Sequence, residues 1–344
     1  MKLEVVDWVK IVVSGIPRGY HQPRADGNWL TEEHAARITS VAPSIELLEI
    51  PPDRIRSTCL DGIDVALVEG GNRTHYDGEL DWQDYLELFV PSLRWVQICS
   101  TGFGDNITQQ IMDGSVVLTN SPGVYTVPLA ESVLAAMLEH AKNLRKRIRN
   151  QEIRRWSQIP NAELYGQSVL IIGLGRIGLH VARLCKAFGM RVVGVRRSAG
   201  LHDCVDLVTT PDQMRAHLAR ADYLVMALPL TADTKNMLTA EDFRLMKHSA
   251  YVINIGRGMT VDEDALLEAL QLGEIAGAYL DVFSEEPLPA GHAFWGMNNV
   301  FVVPHDSHSS PLIGDRLVDM FCDNLRRYVA GLPLCNRCDP SRGY

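Results

Sequence analysis

The chain is predicted to be an α/β protein of two domains built on doubly wound parallel sheets. Three observations lead there. From about residue 168 onward, short apolar runs (VLII, RVVGV, YLVMAL, YVINI, NVFVV) alternate with helical patterns. Such alternation means parallel strands covered on both faces by helices. The run VLII leads straight into Gly173-Leu174-Gly175-Arg176-Ile177-Gly178, a G-x-G-x-x-G turn that opens a helix. A length of 344 residues, at roughly 150 residues per domain, makes about two domains.

The elements follow in order. An apolar run from Val5 to Val13 precedes a polar loop from Gly15 to Trp29. LTEEHAARI reads as a helix start with Thr31 as N-cap. Short strands follow at IELLEI and VALVEG, then WVQIC at 95–99, which ends in Ser100-Thr101-Gly102-Phe103-Gly104. ESVLAAMLEHAKNLRKRIR reads as one long helix, apolar at Val133, Leu134, Met137, Leu138, Ala141 and Leu144. Then βα units repeat: helix RIGLHVARLCKAF, strand 191–195, helix PDQMRAHLARA, strand 223–228, the helix around AEDFRLM and strand 251–255. Helix EDALLEALQLG and strands AGAYLDV and 299–303 complete the series. The segment 308–344 is helix-like up to Tyr328 and too short for a domain, so it is expected to pack back onto the N-terminal part.

Composition narrows the function classes. Hydrophobic residues make up 46% and charged residues 22%, which excludes a mainly disordered chain. The net charge of −9 argues against a nucleic-acid or anionic-membrane binder. It leaves room for a small anionic substrate held by a few local arginines. Seven scattered cysteines, an odd number, do not make a disulfide framework and fit a reducing, cytoplasmic setting. No signal peptide and no apolar run of about 18 residues is seen.

The glycine-rich turn points to a dinucleotide. Its glycines permit the tight turn, close approach of backbone to a pyrophosphate, and close helix–strand packing. The helix N-terminus offers N–H groups and positive potential to phosphate. The plainer alternative is a turn without ligand. The end of the next strand chooses between cofactors. An acid there would bind the ribose 2′-hydroxyl and repel a 2′-phosphate. This chain has Arg196-Arg197-Ser198 instead, two guanidiniums and a hydroxyl that suit a 2′-phosphate. NADP(H) is therefore expected, with NAD(H) as the alternative if the arginines are only solvated.

Three further strand ends carry reactive groups, at the side where open α/β sheets bind ligands. INI-Gly256-Arg257-Gly258 places an Arg between glycines, suited to clamping a carboxylate. Asp281-Val282-Phe283-Ser284-Glu285-Glu286-Pro287 is acidic. VVP-His305-Asp306-Ser307 brings a His, a ready acid/base near neutrality. Singly, each has a structural explanation. Jointly they suit one chemistry: a carboxylate stabilises an imidazolium, which protonates a carbonyl oxygen as hydride arrives.

The run from about Trp95 to Arg327 resembles the D-isomer-specific 2-hydroxyacid dehydrogenases. The resemblance rests on NSPGVYTVPLAESVLAAML, LYGQSVLIIGLGRIG, LPLTADTKNML, VINIGRG, AGAYLDVFSEEPLP and NVFVVPH, in that order. It implies two Rossmann-like or flavodoxin-like domains with an active-site cleft between them. Residues 1–119 plus 308–344 would form a discontinuous substrate domain, and 120–307 the dinucleotide-binding domain. It implies that Arg257 binds the substrate's carboxylate and keto oxygen and that Glu286 pairs with His305. Gly173, Gly175, Arg176, Ile177 and Gly178 would hold the pyrophosphate. Asp281 would bind the nicotinamide carboxamide, and Leu228, Pro229 and Thr234 would line the cofactor cleft. Thr101, Gly102, Phe103 and Gly104 would offer backbone N–H groups to the substrate carboxylate. A homodimer is implied, with the helix near 128–150 at the interface. Arg196, Arg197 and Ser198 resemble the NADP-using glyoxylate/hydroxypyruvate reductase branch, and Phe294-Trp295 would lie near its active site.

The chain departs from the pattern in three places. The loop Gly-Phe-Gly-Asp-Asn is one residue shorter than usual. After His305 come Asp306-Ser307-His308-Ser309-Ser310, where small or apolar residues are more usual. Cys335 and Cys338 form a lone C-x-x-C with no second pair, so no metal site is expected. The expected activity is NADPH-dependent reduction of a small 2-oxo acid to the D-2-hydroxy acid. The alternatives are a dinucleotide-sensing corepressor-like protein, or a same-fold dehydrogenase for a bulkier 2-oxo acid, formate or phosphite.

Overall fold

Short strands of three to six residues, most of them buried, organise the described residues. The computed structural model describes residues 8–14, 29–50, 61–68, 92–102, 109–198, 200 and 202–339. Among them, twelve strands form two sheets of five and seven strands, and all paired strands run parallel. The chain divides into two units, Met1–Tyr125 with Ser309–Tyr344, and Thr126–His308. The boundaries expected from the sequence lie after 119 and after 307.

The first unit holds β1 (Val9–Ser14), β2 (Ile45–Glu49), β3 (Val65–Val68), β4 (Trp95–Ile98) and β5 (Val117–Thr119), in the order β2-β1-β3-β4-β5. Strands β3 and β4 are buried at every position, as central strands of a covered sheet are. Helix α1 (Glu32–Thr39) starts where the sequence indicates: the Thr31 hydroxyl accepts from the His34 N–H at 3.1 Å, and His34 Nδ1 accepts from the Thr31 N–H at 3.2 Å. A short helix, α2 (Gln109–Met112), precedes β5. The returning C-terminal segment adds a long helix, Ile313–Val329, whose Phe321 stacks on Trp95 at 5.1 Å between ring centres. Its Asp315 accepts from Arg37 of α1 at 2.8 Å.

The second unit begins with α3 (Thr126–Lys142) and α4 (Leu144–Glu152). The single long helix expected here is broken at Asn143, which takes a left-handed φ of 51°. Asn tolerates that conformation better than most residues, and no side-chain cap marked it in the periodicity. Then come β6 (Ser168–Ile172), α5 (Arg176–Ala187), β7 (Arg191–Val195), β8 (Leu207–Thr209), α6 (Arg215–Leu218) and β9 (Tyr223–Met226). They are followed by α7 (Ala240–Leu245), β10 (Tyr251–Asn254), α8 (Glu263–Leu272), β11 (Gly277–Leu280) and β12 (Val300–Val302). The returning helix of the first unit is α9. The sheet order is β12-β11-β10-β9-β6-β7-β8. The order reverses between β6 and β9, the switch point beside which such sheets bind ligands. Strand β8 and the short α6, where a longer helix is expected, are the other departures from the sequence reading. Leu170, Ile172, Leu224, Met226, Val252 and Phe243 form the core of this unit. Each such side chain contributes about 1.5–3 kcal/mol by leaving water.

Candidate active site

The dinucleotide turn is fixed by what its glycines exclude. Gly173, directly after β6, has φ +107°, and a Cβ there would lie 2.5 Å from the Ala227 carbonyl oxygen. At Gly178 a Cβ would fall 1.9 Å from the Gly173 carbonyl oxygen, so α5 seats directly on the turn. Gly175 is the N-cap of α5, no side chain caps it, and a Cβ there would stand in open space. The first-turn N–H groups at Arg176 and Ile177 are thus met by no capping side chain, which is what holding a pyrophosphate at a helix N-terminus requires. The residues present fit a dinucleotide.

Arg196, Arg197 and Ser198 follow the end of β7. The Arg196 N–H binds the Thr209 carbonyl at 3.1 Å, and its guanidinium Nη1 donates to His202 Nε2 at 2.7 Å. Arg197 and Ser198 are exposed. After β9, the turn carrying Leu228 and Pro229 is closed by Thr234, whose hydroxyl donates to the Pro229 carbonyl at 2.7 Å and accepts from the Thr231 N–H at 2.8 Å. Leu228 packs against the core.

The reactive groups stand at the ends of β10, β11 and β12. Arg257 follows β10 with an exposed side chain whose Nη1 donates to the Gly256 carbonyl at 2.7 Å. Its carbonyl is held by Asn254 Nδ2 at 3.2 Å and by the Thr260 hydroxyl at 2.6 Å. At Gly258 a Cβ would lie 1.9 Å from the Phe283 carbonyl carbon, so this turn is pressed backbone to backbone on the segment leading to Glu286. Glu286 Oε1 accepts the Phe283 N–H at 3.0 Å, and Oε2 meets His305 Nδ1 at 2.7 Å. A carboxylate can only accept, so Nδ1 carries the proton and Nε2 is left for chemistry. His305 is in left-handed backbone, φ 53°, an uncommon state for a non-glycine residue.

Asp281 is 1% exposed, and its Oδ1 accepts the Ser307 N–H at 3.0 Å. Burial pushes its carboxyl above the usual carboxylate range, against the lowering pull of the Ser307 hydrogen bonds and of His305. Trp295 lies in the short 3-10 turn Ala293–Gly296, half-exposed, its indole N–H donating to the Pro289 carbonyl at 3.0 Å. Thr101 and Gly102 belong to the first unit. The Thr101 carbonyl accepts from Asn120 Nδ2, and the Gly102 carbonyl accepts from the Ser100 hydroxyl at 2.8 Å. Phe103 and Gly104 lie outside the described residues. Cys335 is exposed, while burial pushes the Cys338 thiol up to about 12.

Residues 134–307 match the model of the D-isomer specific 2-hydroxyacid dehydrogenase NAD binding domain. The chain belongs to the D-isomer-specific 2-hydroxyacid dehydrogenase family. It is 34% identical over 255 residues to a glyoxylate reductase of Aeropyrum pernix, covering 70% of this chain and 75% of that one. A family protein from Aeromonas salmonicida superposes with a TM-score of 0.80 at 28% identity, over 97% of this chain and 99% of that one. The NADPH-dependent glyoxylate/hydroxypyruvate reductase from Sinorhizobium meliloti, solved in complex with NADP and sulfate, gives 0.76 at 26% identity, over 98% and 100%. Membership makes the protein an NAD(P)-dependent oxidoreductase of the 2-hydroxyacid dehydrogenase type. No helix among the described residues is long and apolar enough to cross a membrane.

Three polar residues near these groups were not singled out from the sequence: His202, Ser132 and Tyr279. Tyr279 carried a readable signal. It lies two residues before Asp281, and alternation along a strand puts both on one face. Ser132 and His202 carried none, since nothing local ties them to residues 175 and 6 positions away, respectively.

Proposed function

We propose that this dehydrogenase reduces a small 2-oxo acid, of the glyoxylate or hydroxypyruvate kind, to the D-2-hydroxy acid with NADPH. The observation that carries the reading is the 2.7 Å His305–Glu286 pair beside the glycine-locked turn of Arg257. The nicotinamide supplies the hydride. Arg257 takes the substrate carboxylate and opposes the negative charge that grows on the keto oxygen. His305 gives that oxygen a proton from Nε2, and Glu286 holds the ring in the right tautomer and balances the imidazolium charge. Asp281 is assigned to the carboxamide of the nicotinamide, and Leu228, Pro229 and Thr234 to the cofactor's bed. Arg196, with Arg197 and Ser198, is assigned to the 2′-phosphate, because a guanidinium matches phosphate geometry and charge. The Sinorhizobium meliloti neighbour's NADP complex supports that choice.

The first unit is assigned to the substrate side. The protein is proposed to act in the cytoplasm, in keeping with its free cysteines. It is further proposed to be a homodimer, because α4 and the residues after it expose Ile148, Ile153 and Trp156, the last fully. The test is loss of NADPH, and separately NADH, absorbance with glyoxylate, hydroxypyruvate, pyruvate, 2-oxoisocaproate and phenylpyruvate. Turnover of a small acid with NADPH ahead of NADH is expected. Dinucleotide binding with no turnover on any of the five would overturn the reading.

A further inference from the structure

Ser307 spends every polar atom on tying down the segment that carries His305. Its backbone N–H donates to Asp281 Oδ1 at 3.0 Å. Its carbonyl accepts from the Ser132 hydroxyl of α3 at 2.8 Å. Its own hydroxyl lies 2.6 Å from the Tyr279 hydroxyl and also hydrogen-bonds the Asp281 carboxylate. A serine hydroxyl has one proton. Donated to the carboxylate, it leaves the oxygen to accept from Tyr279, so the chain runs Tyr279 O–H to Ser307 O–H to Asp281 carboxylate. Tyr279, Asp281 and Ser307 are all buried. Such buried chains polarise one another and are costly to leave half-made.

We propose that Tyr279, Ser307 and Ser132 form a positioning network that keeps Asp281 ionised and pins the left-handed backbone of His305. Tyr279 and Ser307 thereby set the acid limit of the enzyme's working range. The proposal rests on the reading of His305 as proton donor. The charged and titratable groups around Asp281 are Tyr279 on its own strand and His305 and Asp306 on the segment after β12. Glu286 reaches it through His305, and His308 lies 6.0 Å from the His305 ring. Asp306 opposes ionisation of Asp281 and His305 favours it. The hydroxyl chain adds a stabiliser that burial would otherwise deny. A charged Asp281 in turn provides a second negative group for the imidazolium form of His305.

Removing the Tyr279 hydroxyl takes away the donor that polarises Ser307, so the carboxyl of Asp281 rises further from its ordinary value. A carboxyl raised on folding costs stability above its unfolded value, and the cost disappears as pH falls below that value. The experiment compares Tyr279→Phe, Ser307→Ala and Ser307→Thr with the native enzyme. One arm is the pH profile of kcat/KM for NADPH-linked reduction, and the other is Tm as a function of pH. In Tyr279→Phe, the acid limb moves to higher pH. The further loss at pH 6 relative to pH 8 is about threefold, the share of a charge-assisted hydrogen bond passed on through one hydroxyl. Its Tm deficit at pH 7 shrinks as pH is lowered toward about 4. Ser307→Ala shifts in the same direction and further, and Ser307→Thr restores the profile. A loss by the same factor at every pH, with a Tm deficit that does not change with pH, would overturn the proposal. The Tm arm needs no turnover. If the enzyme reduced none of the acids offered, the reaction assignment would fall while the network stood or fell on its own result.

Discussion

Glu286→Gln isolates what the His305–Glu286 pair contributes. The replacement keeps an oxygen to accept the Phe283 N–H, so the segment stays in place, but it removes the counter-charge from His305. At the observed 2.7 Å, two unit charges attract by about 1.5 kcal/mol in a water-like dielectric and about 6 kcal/mol at an effective constant near 20. The side chains of His305 and Glu286 are 24% and 35% exposed, which places the pair toward the weaker end. A value of about 1.5–3 kcal/mol, usual for hydrogen bonds to charged groups, corresponds to a 10- to 150-fold loss of kcat/KM. The assay is steady-state NADPH oxidation at pH 6 to 9 with the best acid of the panel, beside a thermal melt. A loss below about threefold across that range, with an unchanged melt, would refute the assignment of Glu286 as the group that maintains the donor.

Arg196→Asp should raise the dissociation constant for NADPH about 10- to 150-fold, the worth of one charge-assisted contact, and leave NADH within about threefold. An unchanged ratio by fluorescence titration would remove the 2′-phosphate from this position. Gly258→Ala places a methyl against the Phe283 backbone, where nothing flexible can yield. A destabilisation of about 1–3 kcal/mol is expected, and a melt indistinguishable from the native one would contradict the close approach. Trp156→Glu, at a fully exposed side chain, should leave the melt of the isolated chain within about 0.5 kcal/mol. Light scattering should then report monomer in place of dimer, and a dimer of undiminished affinity would move the interface elsewhere.

What could be read in advance depended on whether the backbone left a mark. Gly173, Gly256, Gly258 and Pro287 are needed by turns at strand ends, so the sequence announces Arg257 and Glu286 through their neighbours. His305 stands out because a polar residue follows a buried strand and a proline. The break at Asn143 left no mark, since the apolar spacing runs on from Ala141 to Leu144 across it. Strand β8 is three residues long, with one of them exposed, too short for alternation to show. Tyr279 reads as one more core aromatic until its hydroxyl is found against Ser307. In the first unit, the run from Thr101 to Gly104 carries neither strand nor helix periodicity, so its expected part in holding a carboxylate comes from the resemblance alone.

The first unit is sewn from both ends of the chain, and this has a consequence for the order of events at the ribosome. The second unit is one uninterrupted stretch, Thr126–His308, and has all its strands once residue 308 has emerged. The first cannot close until Ser309–Tyr344 arrives, because Phe321 is the stacking partner of Trp95 and Asp315 the partner of Arg37. For the time taken to make residues 309–344, the face of β4 bearing Trp95 waits without its cover, while the second unit already has all its described strands. Emergence of residues 309–344 is thus the step that completes the first unit. A chain stopped at residue 308 should still hold a dinucleotide, yet present an unfinished apolar sheet to whatever chaperone meets it first.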